Sequence, residues 1–210
     1  MTIKFIPLLA WGLVCGVAQA QDNSLKFGVA EYTTHSSTNG VTGVGVPPGA
    51  DAKTGNATTL VVEYERLINP NWGVTLAVGG TPKVKAKATG SVAFLGDDVL
   101  SAKNVSPTLF VNYHFGAAGD TWRPYVGLGI NYTKFVSIES KLAPDVQMSD
   151  SVGPAATAGL EYALSKDWSL WASVSALKVK SDVVATGATV LTTTIDFRPV
   201  VYSFGAVYKF

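Results

Sequence analysis

Glu63 and Glu65 stand two residues apart, a spacing that puts both carboxylates on one face of an extended segment. Such a pair can do acid–base work, and it equally suits an ion network with Lys26 or Lys209. His114 is the other group with catalytic or metal-binding chemistry. No second histidine stands near it, since His35 falls in a separate glycine-rich region, and no His-Glu-x-x-His spacing occurs. A serine nucleophile would have to lie within hydrogen-bond reach of that histidine. The nearest candidate, Ser106, is about 26 Å away along an extended strand. The residues Lys26, Glu63, Glu65, His114, Glu161 and Lys209 therefore read as a structural polar network. No catalytic set, metal site or organic cofactor is expected.

What must position these groups is a series of segments whose side chains alternate at period two. Strands are expected near 25–34, 57–68, 72–86, 103–115, 123–136, 149–164, 168–181 and 192–210. In one of them Leu109, Val111, Tyr113 and Phe115 share a face, opposite Thr108, Asn112 and His114. The connections alternate too. Asn69-Pro70-Asn71, Ser165-Lys166-Asp167 and Gly116–Trp122 are short, whereas 35–56, 87–102, 137–148 and 182–191 read as long loops rich in Gly, Thr, Ser or Pro.

The identity of the two faces sets the class. One face is small or polar (Gly127, Gly129, Thr157, Gly159, Ser173, Ser203) and fits the narrow interior of an eight-stranded barrel. The aliphatic face must then meet hydrocarbon. Aromatics cluster at one set of strand ends (Tyr64, Trp72, Tyr113, Phe115, Trp122, Tyr125, Tyr162, Trp168, Tyr208, Phe210), with Tyr32, Tyr132 and Phe135 toward the other, as two membrane interfaces would select. The expected fold is all-β, an eight-stranded antiparallel transmembrane β-barrel with short turns on one side and long loops on the other.

The first twenty residues read as a targeting segment. Lys4 precedes the apolar run Phe5–Val17, and Ala18-Gln19-Ala20 has the small-x-small pattern of a signal-peptidase site. Leu13 and Val14 before Cys15 lack the small residues of a lipoprotein site. The expected organisation is 1–20 as signal peptide and 21–210 as one barrel domain. Without Lys4, fifteen of the sixteen basic residues remain against fifteen acidic ones, so nothing in the composition points to a polybasic surface for nucleic acid.

Several short segments, in order along the chain, resemble the outer membrane protein W family. Arg123-Pro124-Tyr125-Val126-Gly127-Leu128-Gly129-Ile130-Asn131-Tyr132-Thr133 is similar to that family's fifth strand. Ser106-Pro107-Thr108-Leu109 resembles its Pro-Pro-Thr-Leu, with Ser106 for the first proline, and Trp72-Gly73-Val74 with Gly80-Thr81-Pro82 resembles its third strand. Asp150-Ser151-Val152-Gly153 is similar to its Asp-Ser-Trp-Gly, and Lys166-Asp167-Trp168 and Tyr208-Lys209-Phe210 also fit. The resemblance is weakest over 21–56. It implies a monomer in the bacterial outer membrane with a hydrophobic channel for small apolar molecules, alkanes among the solutes of some relatives.

Continuing the alternation gives the channel two halves. The polar network occupies the periplasmic half, and an apolar set (Tyr32, Phe135, Leu177, Val179, Ile195, Phe197 and Val201) lines the outer half. Trp171 and Leu177 are candidates for a gate. A charged network that fills the bore forces an apolar solute to leave sideways. Pro82 and Pro107, on the third and fourth strands, lack the N–H that a ladder needs and mark that seam as the expected lateral opening. The expected partners are outer-membrane lipid, small apolar solutes, and the barrel assembly machinery, which would read the terminal Phe210. Two other readings are a non-transporting surface receptor or envelope-stability protein, which would use the loops alone, and a lipid-modifying barrel enzyme.

Overall fold

Residues 22–97, 99–141, 143–187 and 189–210 are described in the computed structural model, and the expected signal peptide lies outside them. Eight antiparallel strands form the barrel wall: β1 (Asn23–Thr34), β2 (Ala57–Leu67), β3 (Trp72–Gly79), β4 (Thr108–His114), β5 (Trp122–Ser140), β6 (Ser151–Ala163), β7 (Trp168–Leu177) and β8 (Pro199–Lys209). Each pairs with its neighbour in sequence. The β1–β8 pairing, from Ser24–Lys209 to Thr34–Pro199, closes the cylinder.

The period-two pattern decides which side of the wall each residue takes. Leu25, Phe27 and Val29 are exposed between inward-facing Lys26 and Ala30. Leu60, Leu128 and Val152 are 70%, 73% and 72% exposed. An apolar band this open is untenable in water and suits hydrocarbon. At the short-turn end, outward aromatics pack ring against ring. Trp72–Tyr113, Trp122–Tyr162 and Trp168–Tyr208 have centroids 5.1, 4.5 and 5.0 Å apart. Of the residues expected in this girdle, Tyr125 instead faces inward and is buried. At the other end Tyr132 is outward, while Tyr32 and Phe135 turn into the bore.

The short turns are tied by their own side chains. The Asn69 carboxamide oxygen accepts from the N–H groups of Asn71 and Trp72, both at 2.9 Å, and Ser165 Oγ accepts from Trp168 N–H at 3.1 Å. In the third turn Asp120 accepts from Ala117 N–H at 2.8 Å, and Gly116 takes the left-handed backbone (φ 74°) that starts it.

The long connections differ from expectation. They are largely strand, and extend the wall beyond the membrane as two flaps. One flap joins Ala50–Thr54, Lys83–Gly90 and Leu100–Val105 to the outer end of β5. The other joins Asp145–Met148, Lys180–Thr186 and Val190–Asp196, with short pieces of the first loop at its edge. The expected third and fourth strands, 72–86 and 103–115, are accordingly each two strands, broken at Gly80–Pro82 and at Ser106-Pro107. The expected 168–181 and 192–210 break likewise at Lys178-Val179 and Phe197-Arg198. Small polar residues hid these pairings, although the alternation Lys83-Val84-Lys85-Ala86-Lys87-Ala88 is itself a strand pattern.

Large and small residues alternate across the interior. A Cβ built on Gly159 would lie 2.4 Å from the Tyr125 ring, and Gly205 pairs with Trp171. Gly159 thus makes the seat for the Tyr125 ring of the next strand. Gly159→Val should therefore evict the Tyr125 ring and lower the temperature at which the folded barrel loses its compact electrophoretic mobility; an unchanged temperature would show that the seat is not needed.

Candidate functional site

At the short-turn end the bore opens as a vestibule of about 850 Å³, lined among others by Ser24, Glu65, His114, Arg123, Glu161 and Lys209. Its inner limit is a buried ion cluster. The Lys26 ammonium, fully buried, lies 3.0 Å from one Glu65 oxygen and 2.8 Å from a Glu161 oxygen. The other Glu65 oxygen is 2.7 Å from His114 Nε2 and accepts from the Asn112 amide at 3.2 Å. Asn112 also donates to Thr75 at 2.8 Å, and Lys209 approaches Glu161 at 3.5 Å. Arg123 donates to the Pro70 carbonyl, which fixes the turn below. Five strands thus contribute charge-assisted bonds to one knot, each through an inward position of its alternation.

Glu63 is inward and buried, but among the described residues no hydrogen bond or ion pair holds it. It stands opposite Lys26 in the β1–β2 register, close enough to feel that charge without bonding to it.

A second layer seals the bore above the knot. The Tyr125 ring lies over the Lys26 ammonium, 4.5 Å from its centre, and the Trp171 indole N–H donates to the Tyr125 hydroxyl at 3.0 Å. Ala30, Val61, Val201 and Val207 pack around this pair, with Tyr32 and Leu177 against it. Trp171, expected as a gate, is 1% exposed and belongs to this floor.

Above the floor, Phe135, Val179, Ile195 and Phe197 form a second apolar cluster with Ala102 and Val183, and Phe135 stacks on Phe197 at 5.5 Å. Leu177 packs against both clusters. The apolar residues expected along the outer bore are thus split, with Tyr32 and Val201 low and the rest high. Ala102 and Val183 escaped the sequence reading because their segments were taken as loops. A crevice of about 30 Å³ remains between the clusters, walled by Tyr32, Leu177, Phe135, Val84, Asn104 and Ser106.

That crevice abuts a break in the wall. The β3–β4 ladder stops at Ala77–Thr108 and resumes only at Lys83–Lys103 in the flap. Between them, residues 78–82 face 104–107 with no ladder pairing, and strand three carries one residue more than strand four. Each side is anchored away from the gap. Gly79 pairs with Val61, and Gly80 N–H donates to the Leu60 carbonyl at 2.8 Å. Across the gap, Tyr132 N–H donates to the Pro107 carbonyl at 3.0 Å, and Asn131 donates to Ser106 Oγ at 2.9 Å and to Thr108 Oγ1 at 2.8 Å.

Pro82 and Pro107 therefore do not face each other; one ends the break and the other begins it. Because the Pro107 carbonyl points to β5, the N–H it lacks is a loss to the β4–β5 ladder, and the opening toward β3 arises where Gly79–Pro82 leaves its partner. Ser106 Oγ, 2.6 Å from Thr133 Oγ1, is engaged in this Asn131 knot and not with His114.

Residues 19–210 match the OmpW family. The chain belongs to that family. Outer membrane protein W of Vibrio cholerae is 33% identical over 159 residues, covering 72% of either chain. Outer membrane protein AlkL of Ectopseudomonas oleovorans is 30% identical over 170 residues, 80% of this chain and 73% of the relative. The crystal structure of OprG from Pseudomonas aeruginosa superposes with a TM-score of 0.81 at 25% identity, covering 91% of this chain and 96% of that one. The OmpW-family chain is a protein of the bacterial outer membrane and sits in its lipid bilayer, with the exposed aliphatic band against the acyl chains.

The ion knot makes a clear energetic prediction. Removing one partner of a buried pair leaves an uncompensated charge, whereas replacing the whole set by neutral groups of like size costs little. Lys26→Met should lower unfolding stability in urea by about 3–5 kcal/mol, and adding Glu65→Gln with Glu161→Gln should restore most of it. A loss from Lys26→Met of under about 1 kcal/mol would mean that water, not protein, solvates these carboxylates.

Proposed function

We propose that this OmpW-family barrel lets small apolar molecules pass from the outside into the lipid of the outer membrane, leaving through the wall between β3 and β4. The observation that carries this reading is the unladdered stretch of wall directly beside the apolar crevice, with the bore beneath it filled by Tyr125, Trp171 and the Lys26–Glu65–Glu161 knot. A solute held among Tyr32, Leu177, Val179 and Phe197 has charged groups below it and hydrocarbon beside it. Transfer sideways costs no desolvation of the solute, whereas transfer downward requires breaking paired buried charges.

The crevice holds little more than one water, so the side chains around it must move for a solute to enter. Leu177, packed against both clusters, is the gate, and Trp171 stays as floor. Ile195, Phe135 and Val201 complete the apolar lining, and Pro82 and Pro107 delimit the lateral opening. The similarity to AlkL supports a solute of apolar character. The barrel acts as a monomer, and Phe210 is the residue by which the assembly machinery recognises the last strand.

Filling the crevice tests the reading. Leu177→Trp should reduce uptake of a fluorescent apolar probe by cells to the level of cells lacking the protein, while compact electrophoretic mobility reports an intact barrel. Undiminished uptake by the folded variant would overturn the crevice as the route.

A further inference from the structure

Lysines are concentrated on the outer face of the flap that stands over the β3–β4 break. Lys53, Lys83, Lys85, Lys87, Lys103 and Lys134 are all exposed and lie at the outward positions of the alternation. Register places two like-charged pairs directly opposite one another on adjacent strands, Lys83 with Lys103 and Lys53 with Lys87. Cross-strand pairs of like charge destabilise a sheet. Carboxylates are interspersed with them, Glu139 acting on Lys103 as well as Lys83, and Lys85 too is engaged. Glu139 lies 2.8 Å from Lys83 and Asp97 3.0 Å from Lys87, while Asp51 bonds to Thr38 of the first loop. Both ion pairs are solvent-exposed and so add little.

Edge protection explains lysine on an exposed strand edge. It covers Lys53, on the outermost strand of the flap, but not Lys83, Lys85 and Lys103, whose strands are paired on both sides. The height of the cluster supplies another reason. Lys134 is two residues above Tyr132, the outward aromatic at the outer interface, or about 7 Å farther along the strand. Lys103 follows one outward position later, opposite Val136. The lowest lysines therefore sit where the acyl chains end and headgroups begin.

We propose that this lysine face binds the phosphate groups of anionic lipids in the outer leaflet. Phosphate oxygens would accept charge-assisted hydrogen bonds from the exposed ammonium groups of this face, which outnumber the carboxylates paired with them among the described residues. A lipid docked there would stand with its acyl chains against the β3–β4 break, so the site would also set which lipid a laterally leaving solute meets first. The lipid site depends only on the placement in the membrane and not on the transport reading.

The test uses the folded chain in zwitterionic detergent, titrated with bisphosphorylated lipid A, with the same lipid stripped of phosphate, and with inorganic phosphate, binding being read by native mass spectrometry. The bisphosphorylated lipid should bind, its dephosphorylated form should not, and added salt should weaken the complex. Lys85→Gln with Lys103→Gln and Lys134→Gln should weaken it roughly a hundredfold, at about fivefold for each charge near an anionic headgroup. The corresponding three Arg replacements should retain it, and Lys178→Gln with Lys180→Gln, on the opposite flap, should leave it unchanged. Equal retention of both lipids, binding of inorganic phosphate in place of the lipid, or a Gln variant within about twofold of the parent would overturn the proposal. If the triple Gln variant does not fold, the three single replacements must each weaken binding, and no effect from any of them would overturn it equally.

Discussion

A buried ammonium held between two carboxylates is the constraint around which this barrel is arranged. Lys26 cannot leave its place without stranding Glu65 and Glu161 in a medium that solvates neither, and Glu65 in turn holds His114 and Asn112. The cylinder is therefore closed in the half nearer the short turns. It has a wet vestibule on the side of the short turns and an apolar pocket on the side of the flaps. The Tyr125–Trp171 layer separates the two, with the Tyr125 ring against the Lys26 ammonium and its hydroxyl bonded to the Trp171 indole.

The same economy of space governs the wall. Inward glycines admit the large rings, outward aliphatics meet lipid, and ladder bonds satisfy the backbone that hydrocarbon would otherwise leave unpaired. The interruption between β3 and β4 is an exception to that last requirement. It lies at the outer end of the membrane span, where the polar Asn131–Ser106–Thr133 knot stiffens one lip and the β2 pairing of Gly79 and Gly80 stiffens the other. A gap with two fixed lips can persist without collapsing the barrel, which is what a lateral route needs.

Alternation made the barrel legible from its residues, because each strand between Asn23 and Lys209 has one face that cannot be exposed to lipid and one that cannot be left out of it. The short turns were legible from Asn69, Ser165 and Asp120, whose side chains cap their own backbones. The flaps were legible only where the expected strands ran into them. Val190–Asp196 carries three Thr with one each of Val, Leu and Ile, so neither face is strongly apolar and pairing is decided by distant neighbours. Tyr125 was misplaced because its position near a strand end suits an interface aromatic, although the alternation it shares with Gly127 and Gly129 turns it inward, opposite Gly159. The seam was visible as two prolines, but their offset depended on the one-residue excess of strand three, which no local pattern reveals. The ionic residues were legible as a set, yet that Glu65 and not Glu63 takes the Lys26 ammonium depends on where Lys26 points.

Locking the seam reversibly tests the central claim most directly. Cysteines at positions 78 and 107, which face each other if the Ala77–Thr108 register is continued by one step, can be joined as a disulfide, since no other cysteine occurs among the described residues. Transfer of an apolar probe into liposomes carrying the folded protein is then followed before and after reduction. If the solute leaves through the wall, the oxidised barrel is silent and reductant restores transfer. Equal transfer in both states would mean that the solute passes elsewhere, and that the buried charges do not close the bore to it.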